Sequence, residues 1–274
     1  MRNLVPSSHD PFSIFMEVVS AKQPPRRDRL MALVDSVRGR FNAYNDSRNE
    51  LSVLTQQGYS HTEREDLEHC YTVATIPLNT LLRDIRTGQP EPARFKCQYC
   101  GISSPASIDH YLPKSRFPEF SVFPLNLLPC CGECNRIKAD VFLEEGERQV
   151  IHFYFDPLPT DRYLNVRIDY LDDTPIAVYH LTKTSGISEK MFRLIEAHYD
   201  RLNLFRRLQE SSVEVFSETR ASMLSKQIPS IATVKELLIE KAQFLAAYYS
   251  NNYWQAVLYE AVANEVKFLH SCCV

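Results

Sequence analysis

The sequence predicts an α+β protein in which two helical regions flank a small, metal-stapled centre. Three observations predict it. Apolar residues recur at helical spacing near both ends of the chain. All the paired cysteines fall between residues 93 and 140, in a stretch rich in proline and poor in periodic apolar residues. Short β-branched and aromatic runs fill residues 149–183, separated by Pro and Asp. The expected organisation is a helical region over residues 1–90, a core with its following strands over 91–183, and a second helical region over 184–274. The 274 residues are 44% hydrophobic and 24% charged, enough to bury a sizeable core, which excludes a disordered tail or a small disulfide scaffold.

In the first region, Phe12, Ile14, Phe15, Val18 and Val19 mark a helix over residues 10–21. After the Pro24–Pro25 break, Leu30, Leu33, Val34, Val37 and Phe41 predict one long amphipathic helix over 26–54. Thr62, with Glu65 three residues on, predicts the cap of a third helix running to about Ala74. A fourth follows Pro77 through Leu78, Leu81, Leu82 and Ile85. Gly88, Pro90 and Pro92 form a linker. Strands are expected at Val150–Phe155, Leu164–Leu171 and Ile176–Leu181. Ser188 opens a helix to about Leu224, Pro229 breaks it, and two more helices cover 232–249 and 252–270.

Thirty-one Lys and Arg against 34 Asp and Glu give a net charge of -3. The whole chain is therefore not a basic nucleic-acid binder, and any such contact must be local or supplied by a partner. Arg26, Arg27, Arg29, Arg38 and Arg40 read as a mildly basic, solvated helix face. Between residues 91 and 140, six Lys and Arg face five Asp and Glu, so no basic stripe marks the centre. No apolar run is long enough for a membrane span, and residues 1–20 lack the apolar core of a secretion signal. No phosphate-cradling Gly-Lys-Ser/Thr loop occurs, which leaves any nucleotide hydrolysis to another chain. The expected setting is a cytoplasm with reduced thiols.

Cys97-Gln98-Tyr99-Cys100 and Cys131-Gly132-Glu133-Cys134 are two Cys-x-x-Cys pairs with 30 residues between them. Four thiolates in such turns close a tetrahedral site that Zn²⁺ accepts readily, and a filled shell makes the metal structural. Cys130 offers an alternative to Cys131 at Cys-x3-Cys spacing; Cys131 is favoured and Cys130 is assigned to packing. The Cys272–Cys273 tail reads as inert. Chemistry must then lie between the pairs or just after them. The residues there are Asp109-His110, Asn126 before an apolar run, and Cys134-Asn135-Arg136-Ile137-Lys138.

That set resembles the HNH (ββα-metal) endonucleases over about residues 95–140. The resemblance implies phosphodiester hydrolysis assisted by one Mg²⁺ or Mn²⁺ ion. It implies His110 as the general base, with a pKa suited to neutral pH. Asp109 and Asn135 would be ligands of the catalytic cation, Asn135 standing where the name has its final His. Asn126 would orient the His110 imidazole, through its backbone carbonyl. Lys138 and Arg136, one turn on, would touch phosphate. Residues 111–126 and the His152–Pro157 segment further resemble the PtuB-like HNH subunits of Septu and retron anti-phage systems. That likeness implies a DNA or RNA substrate, a PtuA-like ATPase partner docked on the helical regions, and in some systems a retron reverse transcriptase–msDNA complex. The helical faces equally suit an ordinary internal core. His152 is expected to buttress the site rather than react. The alternative is a non-catalytic zinc module that binds nucleic acid or protein.

Overall fold

The computed structural model describes residues 1–228 and 230–273. The chain is mixed α/β, more than half helical, with small sheets. It divides into two units: residues 3–99 with 103–157, and residues 1–2 and 100–102 with 158 onward.

The first unit begins with α1 (Pro11–Ser20), α2 (Arg26–Ala32) and α3 (Val34–Asp46). The long helix expected over 26–54 is thus a correction. It breaks at Leu33 (φ -92°, ψ -5°), whose N–H bonds the Leu30 carbonyl in a tightened turn, and it ends in the run Asn45-Asp46-Ser47, residues that favour caps over helix interiors. The break lets Leu30, Val37, Phe41 and Tyr44 all bury.

Next come α4 (His61–Thr72), α5 (Ile76–Thr87) and α6 (Glu91–Phe95). The cap of α4 lies two residues earlier than expected. Ser60 accepts from the Glu63 N–H while the Glu63 carboxylate accepts from the Ser60 N–H, a complete capping box. Three arginines of α2 and α3, Arg26, Arg29 and Arg40, are corrected from a solvated face to internal partners, while Arg38 stays exposed and Arg27 pairs with the exposed Asp28. Arg26 and Arg29 both bond Asp66, which is 1% exposed, Arg40 bonds the buried Glu119, and Arg38 lies 3.8 Å over the Phe12 ring. The apolar faces of these helices close the unit's own core. Phe15 packs on Phe41, and Phe41 and Tyr44 pack on Phe120 and Phe123 from the loop that follows β1, with ring centroids as close as 4.5 Å.

The centre of this unit is β1 (Ser107–His110), β2 (Leu127–Cys130) and α7 (Gly132–Lys138). The strands pair antiparallel, Asp109 opposite Leu128 and His110 opposite Leu127. A two-residue ladder, β3 (Leu143–Glu144) with β4 (Glu147–Arg148), follows. Val150–Phe155 is not a strand. The His152 carbonyl accepts from both Phe155 and Asp156 N–H groups, and the Asp156 carboxylate accepts from the His152 N–H at 2.7 Å. The β-like composition there reflects burial instead: Val150, Ile151 and Phe153 are fully enclosed.

The second unit is a hairpin, β5 (Leu164–Leu171) and β6 (Thr174–Leu181), covered by helices. These are α8 (Glu189–Arg201), α9 (Leu204–Ser225), α10 (Ile231–Tyr248), α11 (Trp254–Val262) and α12 (Val266–His270). The helix expected over 188–224 is split at Asn203, whose φ of 52° is a left-handed conformation that Asn tolerates. The one expected over 252–270 is two short helices. The break expected at Pro229 lies outside the described residues. No helix among the described residues is long and apolar enough to cross a membrane.

Candidate metal centre and adjoining cleft

Cys97 follows the end of α6, Cys131 caps α7, and Cys134 sits in the first turn of α7. Gly101, directly after Cys100, takes a φ of +72°, which L side chains rarely adopt, and its carbonyl accepts from the Trp254 indole at 3.0 Å. The sulfurs of Cys97, Cys100, Cys131 and Cys134 all lie within 4.8 Å of one another, and all four residues are buried. A tetrahedral zinc with bonds of 2.3 Å would set sulfurs about 3.8 Å apart, so the group needs only a small contraction. Backbone N–H groups already point at three of the sulfurs: Cys131 at Cys97 Sγ (3.2 Å), Cys134 at Cys131 Sγ (3.4 Å) and Ile102 at Cys100 Sγ (3.4 Å). Donors aimed at sulfur favour thiolates over thiols. Four such groups can hold a structural metal such as zinc. Cys130 is outside the set, on β2 opposite Ser107.

Beside this centre lies a polar cleft of about 230 Å³. His110 lines it from the end of β1, Asn135 from α7, and Tyr71 from α4; Lys114 and Asp140 complete its rim. The His110 imidazole is 8% exposed. Its Nε2 bonds the Ser121 carbonyl at 2.9 Å, and the Tyr71 ring meets it edge-on at 4.3 Å. Because a carbonyl only accepts, Nε2 carries the hydrogen and Nδ1 keeps its lone pair. Burial pulls the His110 pKa down to about 3, opposed by the Ser121 carbonyl and reinforced by the Lys114 and Lys138 charges. The near-neutral value expected from the sequence is therefore corrected: desolvation dominates.

Asp109 also lines the cleft, but its carboxylate is engaged. Oδ1 pairs with Lys138 Nζ at 3.0 Å and Oδ2 accepts from the Tyr99 hydroxyl at 2.8 Å. Lys138 Nζ also donates to the His110 carbonyl at 2.8 Å. Lys138 is fully buried, so its expected place on phosphate is corrected to an internal strut between α7 and β1. Removing one partner of such a pair strands a buried charge. Asp109→Asn is expected to lose about 3–5 kcal/mol of stability, seen as a lower urea midpoint, and Asp109→Asn with Lys138→Met to recover part of it.

Asn126 does not touch the imidazole. Its side chain accepts from the Leu112 N–H at 2.8 Å and donates to the Leu112 carbonyl at 3.0 Å and the Phe120 carbonyl at 3.3 Å. Its backbone carbonyl accepts from the Tyr111 N–H. Asn126 thus fixes the loop that carries Ser121, and Ser121 holds the imidazole. Asn135 donates from Nδ2 to Ser107 Oγ at 2.9 Å and to the Ile108 carbonyl at 3.4 Å, which leaves Oδ1 as the open acceptor. Arg136 is exposed and does not line the cleft. His152 is enclosed away from it, bonded to Tyr44 Oη at 3.1 Å and stacked on Phe155; burial holds its pKa well below the ordinary value.

The structure thus brings His110, Asp109 and Asn135 to one cleft, and keeps Arg136, Lys138 and His152 from its surface. Tyr71, Lys114 and Asp140 line the cleft without having been singled out. Lys114 and Asp140 lie within or next to the segments that drew attention; nothing local marks Tyr71, which reaches the site by tertiary packing.

The fold and the site define an α/β chain with a four-cysteine centre beside a polar, histidine-bearing cleft. No family model matches the chain, and no solved structure matches it. It is similar to protein ea31 of Escherichia phage lambda, with 32% identity over 190 residues. The match covers 63% of this chain, and the chain spans 63% of that protein's length.

Proposed function

We propose that this chain is a metal-dependent endonuclease of the HNH kind, hydrolysing nucleic-acid phosphodiester bonds. The observation that carries the proposal is the sharing of one polar cleft by His110 and Asn135, on a β1–β2–α7 arrangement beside four clustered cysteines. A bound Mg²⁺ or Mn²⁺ would polarise the scissile phosphate and steady the departing oxygen. The protein's share is positioning and proton transfer. Ser121 sets the tautomer of His110 and leaves Nδ1 as the ring nitrogen that can accept a proton from water. Asn135 Oδ1 offers a hard ligand to the cation. Lys114 offers an ammonium group to the phosphate at the rim.

In this proposal the chain works in a bacterial cytoplasm, where its cysteines stay reduced, as the effector of an anti-phage complex with a PtuA-like ATPase. What supports the partner is the sequence resemblance over residues 111–126 and 152–157. The test incubates the full chain, alone and with such an ATPase, with plasmid and total tRNA in Mg²⁺, Mn²⁺ or EDTA. Cleavage that EDTA stops is the expected result. No cleavage in any arm, with the metal centre filled, would leave the non-catalytic binding module as the better account.

A further inference from the structure

The two carboxylates of the cleft are not equivalent. Asp109 is 2% exposed and both its oxygens are taken, one by an ammonium group. A divalent cation approaching Oδ1 would meet Lys138 at 3.0 Å, a repulsive neighbour in a poorly screened site. Asp140 lines the same cleft, is exposed, and accepts a single bond, from Ser115 Oγ to Oδ2 at 2.7 Å. Ala139, between Lys138 and Asp140, adopts φ 48° and ψ -133°, a strained backbone for a residue with a Cβ. That reversal separates Lys138, pointed inward at Asp109, from Asp140 on the cleft. Two more groups wait there. Asn135 Oδ1 is open, and His110, more than nine-tenths buried, has a second ring nitrogen with no partner among the described residues.

We infer that Asp140, rather than Asp109, supplies the carboxylate to a divalent cation in this cleft, with Asn135 Oδ1 beside it. Hard oxygen donors of this kind suit Mn²⁺ and Mg²⁺, whose remaining positions water fills. Asp109 is then a positioning residue that holds Lys138 and Tyr99. The inference rests on the nuclease reading for the cation's purpose, not for its binding.

The test titrates Mn²⁺ into the full-length, zinc-loaded protein and follows free Mn²⁺ by electron paramagnetic resonance. Wild type is expected to bind Mn²⁺, and Asp140→Asn to weaken binding at least about ten-fold. Zinc content and the unfolding midpoint should not change, since Asp140 is exposed. Asp109→Asn, where it folds, should keep near wild-type Mn²⁺ affinity. Unaltered affinity in Asp140→Asn would overturn the inference and leave the nuclease reading intact. A wild type that binds no Mn²⁺ would remove both. Asp140-dependent binding without cleavage would sustain the inference and remove the nuclease reading.

Discussion

His110→Ala should lower nucleic-acid cleavage by about 10²–10⁴-fold, the range that general-base catalysis contributes. The fold should survive, because among the described residues the imidazole's hydrogen bonding is confined to the Ser121 carbonyl. His110→Gln tests the same point with less lost volume and a donor still able to reach that carbonyl. Zinc content should be unchanged in both variants, since none of the four clustered sulfurs depends on the ring. Mn²⁺ affinity separates roles further: a general base can be removed with little effect on the cation, whereas a ligand cannot. Cleavage within a few-fold of wild type in both variants would remove His110 from the reaction. A uniform loss of folding, zinc and cleavage would instead make His110 a structural residue.

Cys134→Ser should have the largest effect on stability. Structural zinc contributes on the order of 10–16 kcal/mol of apparent binding energy in small zinc domains, comparable to the whole stability of an ordinary domain. The expected result is a fall from about one zinc per chain to nearly none, with loss of the cooperative unfolding transition. Cys130→Ser is the control. Its thiol is equally buried but lies outside the cluster, so the zinc should remain and the cost should be about 1–3 kcal/mol for enclosing a hydroxyl in place of a thiol. Thiol alkylation adds a second readout. Chelation should expose the four clustered cysteines to reagent, while Cys70, buried and pushed up to about 12, should stay inert until the chain unfolds.

Local chemistry was legible wherever the answer was local. The Cys-x-x-Cys pairs named the four members of the cluster, and Cys131 rather than Cys130 joins it, because it caps α7. Strand β5 and the cap at Ser188 follow from β-branched alternation and from a hydroxyl that meets a free N–H group. The break at Leu33 was not legible, because an apolar stripe records which residues are buried and not whether one straight rod buries them. The aromatic run 150–155 misled for the same reason: burial and strand call for the same side chains.

At the site, the sequence by itself determined the chemical inventory: four thiols at metal spacing, and an Asp-His pair and two asparagines between or beside them. Only the tertiary structure decided how that inventory is divided. Lys138 and Asp109 neutralise one another inside, Ser121 and not Asn126 holds the imidazole, and α4 brings Tyr71 onto the ring from 39 positions upstream of His110. Spacing along a chain sets which groups can share a turn. Whether a charge faces solvent or a buried counter-charge depends on desolvation, and desolvation is set by every element that packs over the group, however distant in sequence.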